Sequence, residues 1–167
     1  MLRILGIDPG TARLGFAIVD LDNSNNINLV DCGVIETSKK DSDAARLTEI
    51  RNDLDLLIEN YKPEVAAIEK LFFFKNPKTI VPVAQARGVI MELCFRKDMK
   101  IFEYTPLEMK KIITGHGMAS KDLVSEVIHS SLAITEQIKP DDAVDAVGLA
   151  LSFIRSDAVL SKQSINL

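Results

Sequence analysis

Two apolar, strand-like runs in this chain end on a carboxylate: RILGIDPGT carries Asp8 and VAAIEK carries Glu69. Two more acids, Asp142 and Asp145, open the apolar helix-like stretch PDDAVDAVGLAL. An acid at the end of a buried strand costs stability unless something positive meets it. Several carboxylates converging on one site raise one another's pKa, unless a divalent cation neutralises them. The pattern predicts a metal site built of oxygens, the chemistry Mg2+ uses on phosphates.

The rest of the chain alternates in a way that limits the folds open to it. LRILGID is a short β-rich run closed by Asp-Pro-Gly, and LGFAIVDLD and INLVDCGVIET follow it, so residues 2–37 read as an antiparallel meander. The Ser/Asp-rich stretch SKKDSDAA starts a helix in which Leu47, Ile50, Leu54, Leu57, Ile58 and Tyr61 recur at helical spacing. VAAIE is a fourth strand, apolar enough to be buried on both faces. Residues 77–97 read as a second long helix and IFEYT as a fifth strand. Three helical pieces close the chain, one from Pro106, one from near Ser120 and one from about Pro140 to Ile154. Hairpin strands followed by alternating helix and strand predict an α/β layered domain with a mixed sheet of about five strands. One domain is expected over residues 1–157, with a short C-terminal tail at 158–167.

No apolar run approaches the roughly 18 residues of a membrane span. Asp8 interrupts the N-terminal apolar stretch too early for a signal peptide. Cys32 and Cys94 lack CxxC spacing and read as small hydrophobes in a reducing compartment, so a cytoplasmic protein is expected. The net charge of -4 speaks against a polyanionic partner, but its distribution does not. Residues 70–121 hold ten Lys/Arg against four Asp/Glu, a net of +6, which leaves -10 for the remainder. Segregated charge can present a basic face to nucleic acid, or it can simply decorate solvent-facing helices.

Asp142 and Asp145 are three apart and share a helix face; Asp141 and Asp145, four apart, share one equally well, so spacing does not choose between 141 and 142. With these acids close together, two Mg2+ ions about 4 Å apart would suit an in-line displacement at phosphorus. Each acid also has a structural reading: Asp8 as a turn residue, Asp141 or Asp142 as an N-cap, Asp145 facing solvent. The turn GIDPGT has a rival use in actin-like ATPases and sugar kinases, which need a second copy of the fold and an adenosine pocket; this chain is too short for either.

Together the blocks GIDPGTARLGFAIVD, AIEKLFFFKN, QARGVIMELC, FEYTPLEMKK, GHGMASKDLV and DDAVDAVGLAL resemble, in order and spacing, the RuvC family of Holliday junction resolvases. The resemblance covers the chain to about residue 155. It implies an RNase H-like fold, a homodimer, and metal-dependent nicking of two opposed strands of a four-way junction. It also implies Asp8, Glu69, Asp142 and Asp145 as the catalytic, metal-binding carboxylates, with Asp8 placed to touch two metals and Asp141 left as a neighbour. Mg2+ is the expected ion, two per site, with Mn2+ as a possible substitute.

By the same resemblance, Phe72 is a wedge or stacking residue at the branch point, where stacking on a base is worth roughly 1–3 kcal/mol. At least one of Phe72, Phe73 and Phe74 is expected to face DNA and at least one to be buried. Lys110 and Lys121 match family lysines near the site, where a Lys can contact the scissile phosphate. Lys75 and Lys78 are read as backbone contacts, while Arg87 is equally open to a structural role. Gly115 and Gly117 permit a tight turn into the next helix, and His116 reads as a surface residue. Met118 stands where some relatives carry a basic side chain. The branch-migration complex of RuvA and RuvB is an implied partner. The leading expectation is a structure-selective DNA endonuclease. The alternatives are a catalytically silent junction-binding module, or an RNase H-like nuclease acting on another nucleic acid.

Overall fold

The structure, a computed structural model, describes residues 1–71 and 77–156. Five strands form one sheet: β1 (Leu2–Asp8), β2 (Arg13–Leu21), β3 (Ile27–Glu36), β4 (Val65–Glu69) and β5 (Lys100–Tyr104). Their order is β3-β2-β1-β4-β5. The first three strands pair antiparallel, as their short polar connections require, and β4 and β5 join β1 in parallel through helical crossovers. The helices are α1 (Asp43–Tyr61), α2 (Pro77–Arg96), α3 (Pro106–Thr114), α4 (Lys121–Leu132) and α5 (Asp141–Arg155). This is the mixed five-stranded, RNase H-like arrangement that the sequence predicts.

Helix boundaries follow local chemistry. Ser42 and Ser120 cap α1 and α4 by accepting from the Ala45 and Leu123 amides. Thr105 and Glu108 form a reciprocal capping box over Pro106 at the start of α3. Gly115 ends α3 with φ 82°, a left-handed conformation that glycine takes without a Cβ penalty.

Side-chain alternation splits the core into two layers. Leu5, Ile7, Ala66 and Ile68 face α1 and α2, packing with Ile50, Leu54, Ile90 and Leu93. Ile4, Ala17, Val65 and Ala67 face the other way, onto α5, which α3 and α4 cover in turn. Helix α5 is apolar nearly all round, with every residue from Ala143 to Ile154 buried except Asp145, as befits a helix held between two layers. Cys94 lies in the first layer, where burial pushes its thiol up to about 12, and Cys32 is half-buried on β3. No helix among the described residues is long and apolar enough to cross a membrane. The tail expected at 158–167 lies outside the described residues.

Candidate active site

Asp8 and Glu69 are the last residues of β1 and β4. The parallel register pairs Ile7 with Ile68, so the two acids come next on adjacent strands. Ile7 and Ile68 face α1 and α2; alternation therefore turns Asp8 and Glu69 to the opposite face, toward α5. The N-terminal turns of α5 bring Asp142 and Asp145 to the same end. Acids here also suit the helix dipole.

Two glycines make that approach possible. A Cβ on Gly6 would lie 2.0 Å from the Ala146 carbonyl oxygen, and one on Gly15 would lie 2.0 Å from that of Asp142. Both neighbours are backbone, so only glycine lets α5 lie this low over β1 and β2. Gly15 is also the cross-strand partner of Asp8. Asp142 thus sits directly above the residue beside Asp8, with its side chain 32% exposed, while Asp141 points outward at 77%. Position 142, not 141, lies over the sheet, a distinction that helix spacing leaves open. Neither acts as an N-cap: that position is Pro140, which makes no side-chain cap bond.

The electrostatics match the crowding. Burial pushes the Asp8 carboxyl up to about 9, helped by its hydrogen bond to Glu69 and by the charges of Glu69, Asp145 and Asp142. The metal-free site therefore favours the protonated form of Asp8. Asp145 is also raised, by burial first; Lys121 opposes this, and Glu69, Asp141 and Asp142 add to it. Lys121 is lowered by burial but raised overall by Asp145, Asp141 and Asp142; its Nζ stands 3.2 Å from Asp141 Oδ2 and 3.8 Å from Asp145 Oδ2. Arg13 Nη1 stands 3.5 Å from Asp142 Oδ2. Among the described residues, no Lys or Arg pairs with Asp8 or Glu69. The far end of β1 shows the contrast: there Arg3 meets the buried Asp20 with two bonds of 2.7 and 2.8 Å.

Among the described residues, no group of three or more Asp, Glu, His or Cys side chains is arranged as a ready cage for an ion. The four acids are gathered, but each is turned to another partner. Their chemistry still fits a hard cation: the donors are all oxygens, and Asp8 and Glu69 are half-buried beside one another, where a positive charge would serve both. The two cations facing Asp142 and Asp145 are exposed enough to move aside.

The other expected contacts fare differently. Lys121 stands among the acids, as expected. Lys110 instead donates from Nζ to the Ala119 carbonyl at 2.8 Å, bracing the loop that leads to Ser120 and Lys121. Arg87 takes its structural alternative, pairing with Glu103 on β5. His116 and Met118 are exposed in that loop. The excess of the basic window is partly neutralised from outside it, because Lys97 pairs with Asp55 and Glu59 on α1. Phe72, Phe73, Phe74 and Lys75 lie outside the described residues, as does the Lys78 side chain. Sequence reasoning missed Arg13, although its place in the GIDPGTARLG turn put it close to Asp8. It also missed a groove of about 730 Å3 beside the acids, walled by Arg13, Lys121, Ser125, Gln137 and Lys139.

A β3-β2-β1-β4-β5 sheet with acids at the ends of β1 and β4, faced by acids opening α5, defines the RNase H-like class. Residues 4–153 match the family model for the crossover junction endodeoxyribonuclease RuvC, and the chain belongs to that family. A curated relative from Prochlorococcus marinus subsp. pastoris, crossover junction endodeoxyribonuclease RuvC, is 46% identical over 156 residues, covering 93% of this chain and 98% of its own. The solved RuvC of Thermus thermophilus is 25% identical, with a TM-score of 0.85 over 94% of this chain and 96% of its own. The structure of Thermus thermophilus RuvC in complex with Holliday junction substrate shares the fold, with a TM-score of 0.84 at 22% identity over 94% of this chain and 96% of that one.

Proposed function

We propose that this protein is a Mg2+-dependent endonuclease that resolves Holliday junctions by paired, symmetric nicks during recombination and repair in the cytoplasm. One observation carries the reading: on a chain of the RuvC family, Asp8, Glu69, Asp142 and Asp145 meet at one end of the sheet. Those four would hold the metal, two ions per site, with Mn2+ able to substitute. Bound there, divalent cations supply charge neutralisation and water activation for in-line displacement at phosphorus. Asp8, raised in the metal-free site, would give up its proton as the site loads. Lys121, with its ammonium among the acids, would meet the negative charge that develops on the phosphate. Lys110 would act through the loop it braces. Phe72, Phe73, Lys75 and Lys78 remain proposed junction contacts.

Incubating the protein and Mg2+ with a synthetic four-way junction is expected to yield paired nicks with ligatable ends on opposed strands. Binding without nicks would favour the silent module. Faster cutting of an RNA–DNA hybrid or of linear duplex would favour another nuclease.

The substrate is nearly two-fold symmetric, and a C2 homodimer presents two identical sites about one axis. Helix α2 supports this reading. While Ala86, Ile90, Leu93 and Cys94 are buried, Val81, Ala84, Gly88 and Phe95 recur at helical spacing on an exposed stripe, with Val81 58% and Phe95 76% exposed. Light scattering at micromolar concentration is expected to give a dimer mass; a monomer mass would remove the symmetry argument. RuvA and RuvB would then deliver the junction.

A further inference from the structure

Arg13 opens β2 at an exposed position, and its guanidinium reaches toward Asp142. Asp142 is its only ion pair among the described residues; Glu36, its cross-strand neighbour on β3, is exposed and outside ion-pair distance. The pair is loose. Its 3.5 Å separation exceeds the 2.7–2.9 Å usual for a charge-assisted bond, and the Arg13 side chain is 48% exposed. Pairs of this kind are screened by water and contribute little.

Arg13 and Asp142 both line the groove of about 730 Å3 and a second one of about 320 Å3, whose other walls include Gly10, Thr11, Pro82 and Val83. Lys121 and Lys139 stand in the first groove. A chain of phosphates crossing from one groove to the other would pass over Arg13. The planar fork of arginine suits two oxygens of one phosphodiester better than it suits a single carboxylate oxygen at long range.

We propose that Arg13 is a phosphate-binding residue of this site, which neutralises Asp142 in the free protein and turns to the backbone of the cut strand once a divalent cation takes over Asp142. The inference rests on the reading of the chain as a metal-dependent junction nuclease. It has an unusual signature: losing Arg13 moves two affinities in opposite directions. Metal gains, because a competitor for Asp142 has gone; DNA loses, because a phosphate contact has gone.

The test uses the full chain with Arg13→Ala and Arg13→Lys. Mn2+ binding without DNA is measured by calorimetry. Binding of a four-way junction is followed by anisotropy across a salt series in Ca2+, with strand integrity checked. For Arg13→Ala we expect Mn2+ to bind about two- to fivefold tighter. Its junction affinity should fall about tenfold, with a log–log salt slope shallower by about 1. Arg13→Lys should recover the slope but only part of the affinity. Tighter metal with unchanged junction binding would make Arg13 a counter-ion only and overturn the proposal. Both affinities falling along with the melting temperature would make it structural and overturn it equally. Wild-type protein that neither binds nor nicks the junction overturns the functional reading and this inference together. Wild type that nicks, beside an unchanged Arg13→Ala, overturns this inference alone.

Discussion

Replacing Asp8 with asparagine is expected to leave a protein that binds a four-way junction but nicks it on the order of 10³-fold more slowly, or not at all. Asp8 ends β1 beside Glu69 and feels the charges of Asp142 and Asp145 as well, so it is coupled to the other three acids. Asparagine keeps the shape and removes the charge that would hold a cation. The same substitution should show in stability. Burial and the neighbouring acids raise the folded-state pKa of Asp8 from the ordinary 3.8 to about 9. Across that window the metal-free folded chain holds a proton that the unfolded chain has released, so stability falls as pH rises. Asparagine removes this slope. At pH 8 in chelator, Asp8→Asn should melt a few degrees above wild type, with the gap closing near pH 4. Adding Mg2+ should raise the wild-type melting temperature and leave the variant nearly unmoved. Nicking within tenfold of wild type by the variant would sink the assignment of Asp8.

Gly15→Ala is expected to damage the site by a different route. Its Cβ would stand 2.0 Å from the Asp142 carbonyl oxygen and 2.5 Å from the carbonyl carbon, and neither can rotate away as a side chain would. The N-terminus of α5 must lift, carrying Asp142 and Asp145 away from Asp8. Overpacking of this kind costs roughly 1–3 kcal/mol, and a misplacement of about 1 Å at a reacting centre can cost on the order of 10²-fold in rate. Gly33→Ala on neighbouring β3 provides the control, since its Cβ would meet only the edge of the Phe16 ring at 3.2 Å. We expect Gly15→Ala to cut about a hundredfold more slowly at saturating Mg2+, with a melting temperature lower by several degrees, and Gly33→Ala to stay close to wild type. Equal activities for the two variants would show that the close approach does not position the acids.

Most of the fold was legible in the sequence because its signals are local. Leu47, Ile50, Leu54 and Leu57 mark α1 by their spacing, and Pro106 marks the start of α3 by its fixed geometry. The meander over residues 2–37 appears as β1, β2 and β3 within a residue or so of the expected bounds. The charge map was a weaker guide. The excess over residues 70–121 counts Lys97, whose partners Asp55 and Glu59 lie on α1, outside the window. A window of sequence counts charges without their distant counter-ions.

By itself, the sequence determined which elements form and that Asp8 and Glu69 close two of them, because strand period, helix period and turn chemistry act over a few residues. Only the tertiary structure decided that β1 and β4 are neighbours, and so that Asp8 feels the charge of Glu69. It alone placed Asp142 over Gly15 and turned Asp141 to solvent, since spacings of three and four both share a helix face with Asp145. It alone brought Arg13 to Asp142. These are contacts between parts of the chain far apart in sequence, set by how closely α5 can lie on the sheet. Two glycines without a Cβ set that distance.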